Sequence, residues 1–234
     1  MDDIKSSVRD SAVARWGVLV IVSLVLFMNY YFYDALSPLK DLMQTELGFT
    51  SADYGFFTSA YSIPNVFLLM AVIGGFICDK LGIRITGFTF CLLMAVGGAV
   101  TAYGASDAYL QGGFGYDFMS SFLPAMSPAL KMTSLGFFIF GLGAETSIVV
   151  ISKVVVKWFK GRELALALGL NLAFARLGAA LALILSPRLI HPEWTNAIWF
   201  GFLLLVIGLL CFVVYMFFDI MLDRQLHGRD AGGE

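Results

Sequence analysis

Six apolar runs dominate the chain, each about 20 residues or longer, at roughly 16–37, 54–78, 85–104, 134–156, 164–190 and 196–218. An α-helix rises about 1.5 Å per residue, so a run of this length reaches across the ~30 Å hydrocarbon core of a bilayer. The runs are too long for strands and lack period-two alternation. A soluble fold has no means of hiding them: 59% of the 234 residues are hydrophobic and only 14% are charged, against about 25% charged in an ordinary globular domain. The expectation is an all-α membrane protein with six transmembrane helices. Residues 16–218 form the bundle, 1–15 a polar tail, and 219–234 a second polar tail that reads as flexible. Residues 105–133, rich in Gly, Ser, Pro and aromatics, read as a long external loop carrying a short interfacial helix.

Lysine and arginine set the orientation. With an even number of spans, one side holds Lys5, Arg9, Arg15, Lys80, Arg84, Lys157, Lys160, Arg162, Arg224 and Arg229; the other holds Lys40, Lys131 and Arg188. Cytoplasmic loops carry the excess of positive charge, so both termini are expected to be cytoplasmic. Trp16, Trp158, Trp194 and Trp199 fall near span ends, as interfacial aromatics do. The N-terminal tail has no short apolar core and is not read as a cleaved signal.

Chemistry is sparse in such a chain, which makes each buried charge informative. Cys78, Cys91 and Cys211 are scattered, with no Cys/His cluster, so no metal site, disulfide framework or cofactor is expected. His191 and His227 lie at the periphery, and no Ser/His/Asp set or HExxH exists, which argues against an enzyme. Glu145, in FGLGAETSIVV, stands out. A carboxylate at mid-membrane depth costs about 2.5–3.5 kcal/mol or more and marks function by default. Glu145 lies 15 residues before Lys160 and Arg176 lies 16 after it. Two antiparallel helices leaving that turn carry both side chains to a common depth, about 22–24 Å along each helix. An acid and a base at one level either neutralise each other or each hold one end of a zwitterion.

Other polar residues fall at the same level. NYYFYD in the first run places Asn29 above Tyr33 and Tyr30 above Asp34 at i,i+4 spacing. In the second run Tyr54, Tyr61 and Asn65 form one stripe. Runs one, two, four and five thus carry polar groups at one depth, and runs three and six carry almost none. Four lining helices and two supports suit a central solute cavity, with Glu145, Arg176, Tyr30, Tyr33, Tyr61, Asn65 and Asn29 as candidate binding residues. Tyr31 and Tyr54 read as packing, Lys153 as snorkelling toward the cytoplasm, and Asp34 as near the outer mouth.

Between runs two and three the sequence reads GGFICDKLGIR, in which Gly75, Asp79, Lys80, Gly82 and Arg84 form G-x-x-x-D-K-x-G-x-R. This resembles the signature loop of the major facilitator superfamily. The resemblance implies the N-terminal half of that fold, a 3+3 inverted repeat, and a conformational role for these five residues, with Asp79 latching two halves on the cytoplasmic face. Such carriers have two six-span halves and work by alternating access, so the missing partner is a C-terminal six-helix half. A native six-span protein that dimerises is the alternative.

Longer stretches, FIFGLGAETSIVVISKVVVKWFKGRELALALGLNLAFARLG, NYYFYDALSPL and TSAYSIPNVFLLMAVIGGFICDKLGIR, are similar to the subfamily typified by the animal lysosomal dipeptide transporter. That resemblance implies dipeptides as substrate, Glu145 meeting the amino end, Arg176 the carboxylate, and tyrosines around the backbone. The absence of an acidic dileucine motif and of an Asn-x-Ser/Thr sequon suggests a bacterial cytoplasmic membrane. Two other readings stay open: a carrier of another organic solute, such as an organic acid or sugar, proton-coupled through Glu145 or Asp34; and a non-transporting six-helix module. No nucleic-acid partner is expected.

Overall fold

A computed structural model describes residues 11–230, with side chains to residue 225. The fold is helical, with no strand among the described residues. The elements are α1 (Ala12–Ala35), α2 (Lys40–Glu46), α3 (Ser51–Phe67), α4 (Met70–Gly104), α5 (Asp107–Leu110), α6 (Tyr116–Ser120), α7 (Pro128–Phe159), α8 (Leu164–Leu185) and α9 (Asn196–Asp230). Among the described residues, five stretches are long and apolar enough to cross a membrane: Ala12–Glu46, Met70–Gly104, Pro128–Phe159, Leu164–Arg188 and Asn196–Gln225.

Helix starts follow local chemistry. Thr50 and Asp53 make a reciprocal capping box at the head of α3: the Thr50 backbone N–H donates to the Asp53 carboxylate at 2.9 Å, and the Asp53 N–H donates to the Thr50 hydroxyl at 3.1 Å. Ser127 accepts the Leu130 N–H at 3.1 Å, and Pro128 takes the first position of α7, where its missing N–H is no loss. Each such cap is worth about 1 kcal/mol.

α4 is two helices joined at a corner. Gly82, at φ 83 and ψ 165, is non-helical inside it, a conformation that a residue with a Cβ adopts only under strain. The limbs on either side run in opposite directions along α7. Before the corner, Gly74 lies against Thr146 and Asp79 meets Lys153, so both chains advance together. After it, Phe90 lies against Gly143, Gly97 against Phe140, and Gly104 against Met132 and Thr133, so one rises as the other falls.

α7 is the central post of this group, packed by α3 and by both limbs of α4. It admits them at backbone distance because the contact positions are small. A Cβ added to Gly97 would lie 2.2 Å from the Phe140 backbone nitrogen, and one added to Gly136 would lie 2.3 Å from that of Thr101. Helices in lipid associate through such close packing, since the hydrophobic effect does not favour one apolar neighbour over another. α1 forms the second group, packing mainly against α8 and α9.

Three features differ from the sequence reading. The second apolar run, 54–78, is not one helix. α3 closes with the Leu68 N–H on the Pro64 carbonyl, Leu69 turns left-handed at φ 50, and α4 restarts at Met70. Pro64, inside α3, already removes one backbone donor there. The segment from Asp219 is not a flexible tail: α9 continues through it to Asp230, because its acidic residues are held by cations from two other helices. The 105–133 loop contains two short helices, α5 and α6, and the first turn of α7.

Replacing Gly97 with leucine is expected to separate α4 from α7. The atoms it meets belong to the backbone and have nowhere to go, so the cost is at or above the ~1–3 kcal/mol of core overpacking. Thermal unfolding in detergent, followed by tryptophan fluorescence, should show a lowered midpoint; an unchanged midpoint would contradict the seam described.

Candidate functional site: opposed charges across a tyrosine seam

Glu145 sits on α7 and is half-buried. It reaches no cation within 4 Å, and its polar neighbour is the Tyr61 hydroxyl on α3. Tyr61 is positioned by packing: its ring lies 5.6 Å from Phe137 and 5.7 Å from Phe140, and its backbone runs against Gly141 of α7. Tyr33 of α1 closes on it, with ring centroids 4.5 Å apart, and also stacks near-parallel on Phe137 at 5.9 Å. These contacts bring α1, α3 and α7 to one point.

Arg176 stands on α8 with an exposed side chain. Its guanidinium lies over the Tyr30 ring, 5.7 Å from the centroid, a cation–π contact. Tyr30 and Tyr33 are three residues apart on α1, on adjacent faces. The order across the site is therefore Arg176, Tyr30, Tyr33, Tyr61, Glu145. Asp34, half-buried one turn beyond Tyr30, lies within the electrostatic reach of Arg176. Among the described residues there are six ion pairs within 4 Å, and neither Glu145 nor Arg176 belongs to any of them. The two charges are held apart by tyrosines rather than spent on each other.

Of the other expected site residues, Asn65 is half-buried one turn past Tyr61, near the break at Leu69. Asn29 does not line this site. It is 2% exposed, and its amide donates to the Ala144 carbonyl at 3.5 Å and to the Ser147 hydroxyl at 3.4 Å. Those bonds tie α1 to α7, and that use explains its burial. A matching buried pair, the Ser23 hydroxyl donating to the Asn171 side-chain oxygen at 2.9 Å, ties α1 to α8. The sequence reading passed over Asn171, whose only signal is a buried amide in an apolar helix.

The signature-loop residues lie at the lysine- and arginine-rich end. Lys153 is not merely snorkelling: its ammonium donates to the Asp79 carboxylate at 2.6 Å and to the Gly75 carbonyl at 3.1 Å. Gly82 makes the corner, Lys80 lies over the Phe76 ring at 4.5 Å, and Arg84 reaches α9. Arg84 Nε donates to Asp219 at 2.7 Å and its terminal nitrogen pairs with Asp223. Lys157 of α7 donates to the same two carboxylates, at 2.7 and 3.0 Å, and the Tyr215 hydroxyl donates to Asp219 at 3.0 Å. The sequence held a sign of this cluster: Asp219 and Asp223 are two acids at i,i+4 spacing, on one face of an otherwise apolar helix.

The fold and these two clusters define a polytopic membrane protein with a charged, tyrosine-lined seam and a cross-braced loop. Residues 22–231 match the Major Facilitator Superfamily, and the chain belongs to that family. It is similar to the "Lysosomal dipeptide transporter MFSD1" of Danio rerio, 30% identical over 163 residues, covering 69% of this chain and 31% of that protein. The Homo sapiens protein of the same name is 27% identical over 225 residues, covering 91% of this chain and 44% of that protein. A "Probable sulfoacetate transporter SauU" of Cupriavidus necator is 23% identical over 167 residues, covering 71% and 33%. The chain thus spans less than half the length of the relatives it matches. Each of these relatives carries the name of a transporter.

Asp219 is 2% exposed and neutralises two cations. Its replacement by alanine leaves Arg84 and Lys157 with Asp223 alone, and is expected to cost about 3 kcal/mol, the low end for breaking a buried pair because both cations are partly hydrated. A lowered detergent melting midpoint, largely restored in Asp219→Glu, is the expected result.

Proposed function

We propose that the chain is the first half of an alternating-access carrier for small zwitterionic solutes, with dipeptides as the substrate class. The observation that carries this is the separation of Glu145 from Arg176 by Tyr30, Tyr33 and Tyr61. A zwitterion has an ammonium for the first and a carboxylate for the second, and a guanidinium binds a carboxylate in a two-pronged, charge-assisted geometry. The aromatic faces between them suit the body of a short peptide. The name printed for the vertebrate relatives supports this class.

The architecture we infer is six passes, arranged as three plus three. The opposite directions of the two α4 limbs along α7 support it: α3 with the first limb makes one pass and the second limb another. The lysine- and arginine-rich end is placed in the cytoplasm by its charge. There the Arg84, Lys157, Asp219 and Asp223 cluster and the Lys153–Asp79 pair brace the signature loop. Closing a cavity takes a second six-helix half, and this chain alone does not transport.

In the full-length carrier in proteoliposomes, Glu145→Gln and Arg176→Ala are each expected to lower dipeptide uptake about 10- to 100-fold, the range for losing a hydrogen bond to a charged group. N-acetylated and C-amidated dipeptides are expected not to compete. Wild-type uptake by both variants would defeat the assignment. A second reading, an organic anion taken by Arg176 with proton coupling through Glu145 or Asp34, is favoured by the exposed guanidinium and by the relative named for sulfoacetate. It predicts competition by sulfoacetate and dependence on a pH gradient.

A further inference from the structure

At the end opposite the charged cluster, residues 105–127 fold back over α3 and α7. The fold-back is fixed. Tyr109 is fully buried, its ring edge-on to Tyr103 and Tyr116 at 5.4 and 5.5 Å, and its hydroxyl donates to the Pro128 carbonyl at 3.2 Å. Lys131, 7% exposed, donates to the Phe122 carbonyl at 2.6 Å and lies over the Phe122 ring at 4.7 Å. Two of its aromatic side chains stand out into the surroundings, Phe114 at 91% exposed and Phe118 at 68%, while Phe122 turns in to line the space below. Beneath it, between α3 and α7, lies a niche of about 300 Å³.

Along α7 the niche wall is graded, under an apolar roof of Met119, Phe122, Leu123 and Met126. Lys131 is nearest the helix end, Ser134 lies one turn (about 4.5 Å) deeper, and Leu135 and Phe138 follow, faced by Phe56 and Ile63 of α3. Phe56 and Ile63 lie on the side of α3 opposite the Tyr54, Tyr61 and Asn65 stripe, since residues advance about 100° each around a helix. Ser134 is 5% exposed, yet its hydroxyl has no partner. Its neighbour Thr133 hands its own hydroxyl to the Ala129 carbonyl at 2.8 Å. A buried donor without an acceptor is costly, more so where no water competes.

We propose that this niche binds one glycerophospholipid of the adjacent leaflet. Its acyl chain fills the apolar floor, its ester carbonyl accepts from the Ser134 hydroxyl, and its phosphate lies toward Lys131. The order along the α7 wall, cation, then hydroxyl donor, then apolar side chains, is the order of groups along such a lipid. The exposed Phe114 and Phe118 rings lie in the same interface and hold the roof in the headgroup layer. The site is separate from the Glu145–Arg176 seam and does not depend on the solute carried.

The test is photolabelling of the full-length protein in phosphatidylethanolamine–phosphatidylglycerol vesicles, doped with a phosphatidylcholine bearing a diazirine on its acyl chain. Peptide mapping is expected to find labelling at 56–63 and 131–138 at least about fivefold above that of the exposed α9 face at Leu203, Leu210 and Phe217. Ser134→Ala, and separately Leu135→Trp, which fills the niche from its exposed side, are expected to bring the niche down to the α9 level while α9 labelling stays constant. A diether analogue, lacking the ester carbonyl, should behave on the wild type as the diester does on Ser134→Ala. Niche labelling no greater than that of α9, as when the second transporter half covers it, overturns the proposal. So does niche labelling unchanged by both substitutions, or equal labelling by diether and diester.

Discussion

Backbone contact along α7 is the constraint from which the rest follows. Side chains at Gly97, Gly136 or Gly143 would drive into backbone atoms of the facing helix, so these positions set how near α4 comes and at what height. Once the corner at Gly82 folds α4 into two limbs, both are seated on the same post, one with its direction and one against it. Tyr61 reaches Glu145 only because α3 also lies against α7, at Gly141. The placement of the acid is thus a by-product of packing that involves no charge.

The two polar clusters use charge in contrasting ways. At the loop end, Arg84, Lys157, Asp219 and Asp223 are matched against one another, so each ion offsets the cost of drying its neighbour. In the seam, Glu145 meets the Tyr61 hydroxyl and Arg176 the Tyr30 ring, with Asp34 near enough to Arg176 to act on it through space but not to pair with it. One helix, α7, carries a member of each: Glu145 in the seam and Lys157 in the cluster.

Much of this was legible in the residues. Apolar length marks the long helices and Gly82 in GGFICDKLGIR marks a turn, but apolar length alone starts the second and fourth runs at 54 and 134, past the polar caps Thr50 with Asp53 and Ser127 with Pro128 that begin α3 and α7. What escaped has physical causes. Nothing in VFLLM announces the break after Phe67, because left-handed Leu69 carries no glycine or asparagine signal. The helix beyond Asp219 escaped because its charges suggest solvent until their tertiary partners are known. Depth arithmetic puts Glu145 and Arg176 on one level but leaves open which way each faces. For the same reason Asn29, on the face of Tyr33 by spacing, fell one turn too deep and into the α1–α7 seam.

The interruption at Leu68 and Leu69 has a mechanical result. Tyr61 rides on Ser51–Phe67, and Asp79 rides on the stretch that restarts at Met70. An unbroken helix would behave as a stiff shaft and pass torque from one end to the other. Here the two segments meet at a knuckle, so the direction of the helix that carries Tyr61 is set by its own neighbours and not by the helix that carries Asp79.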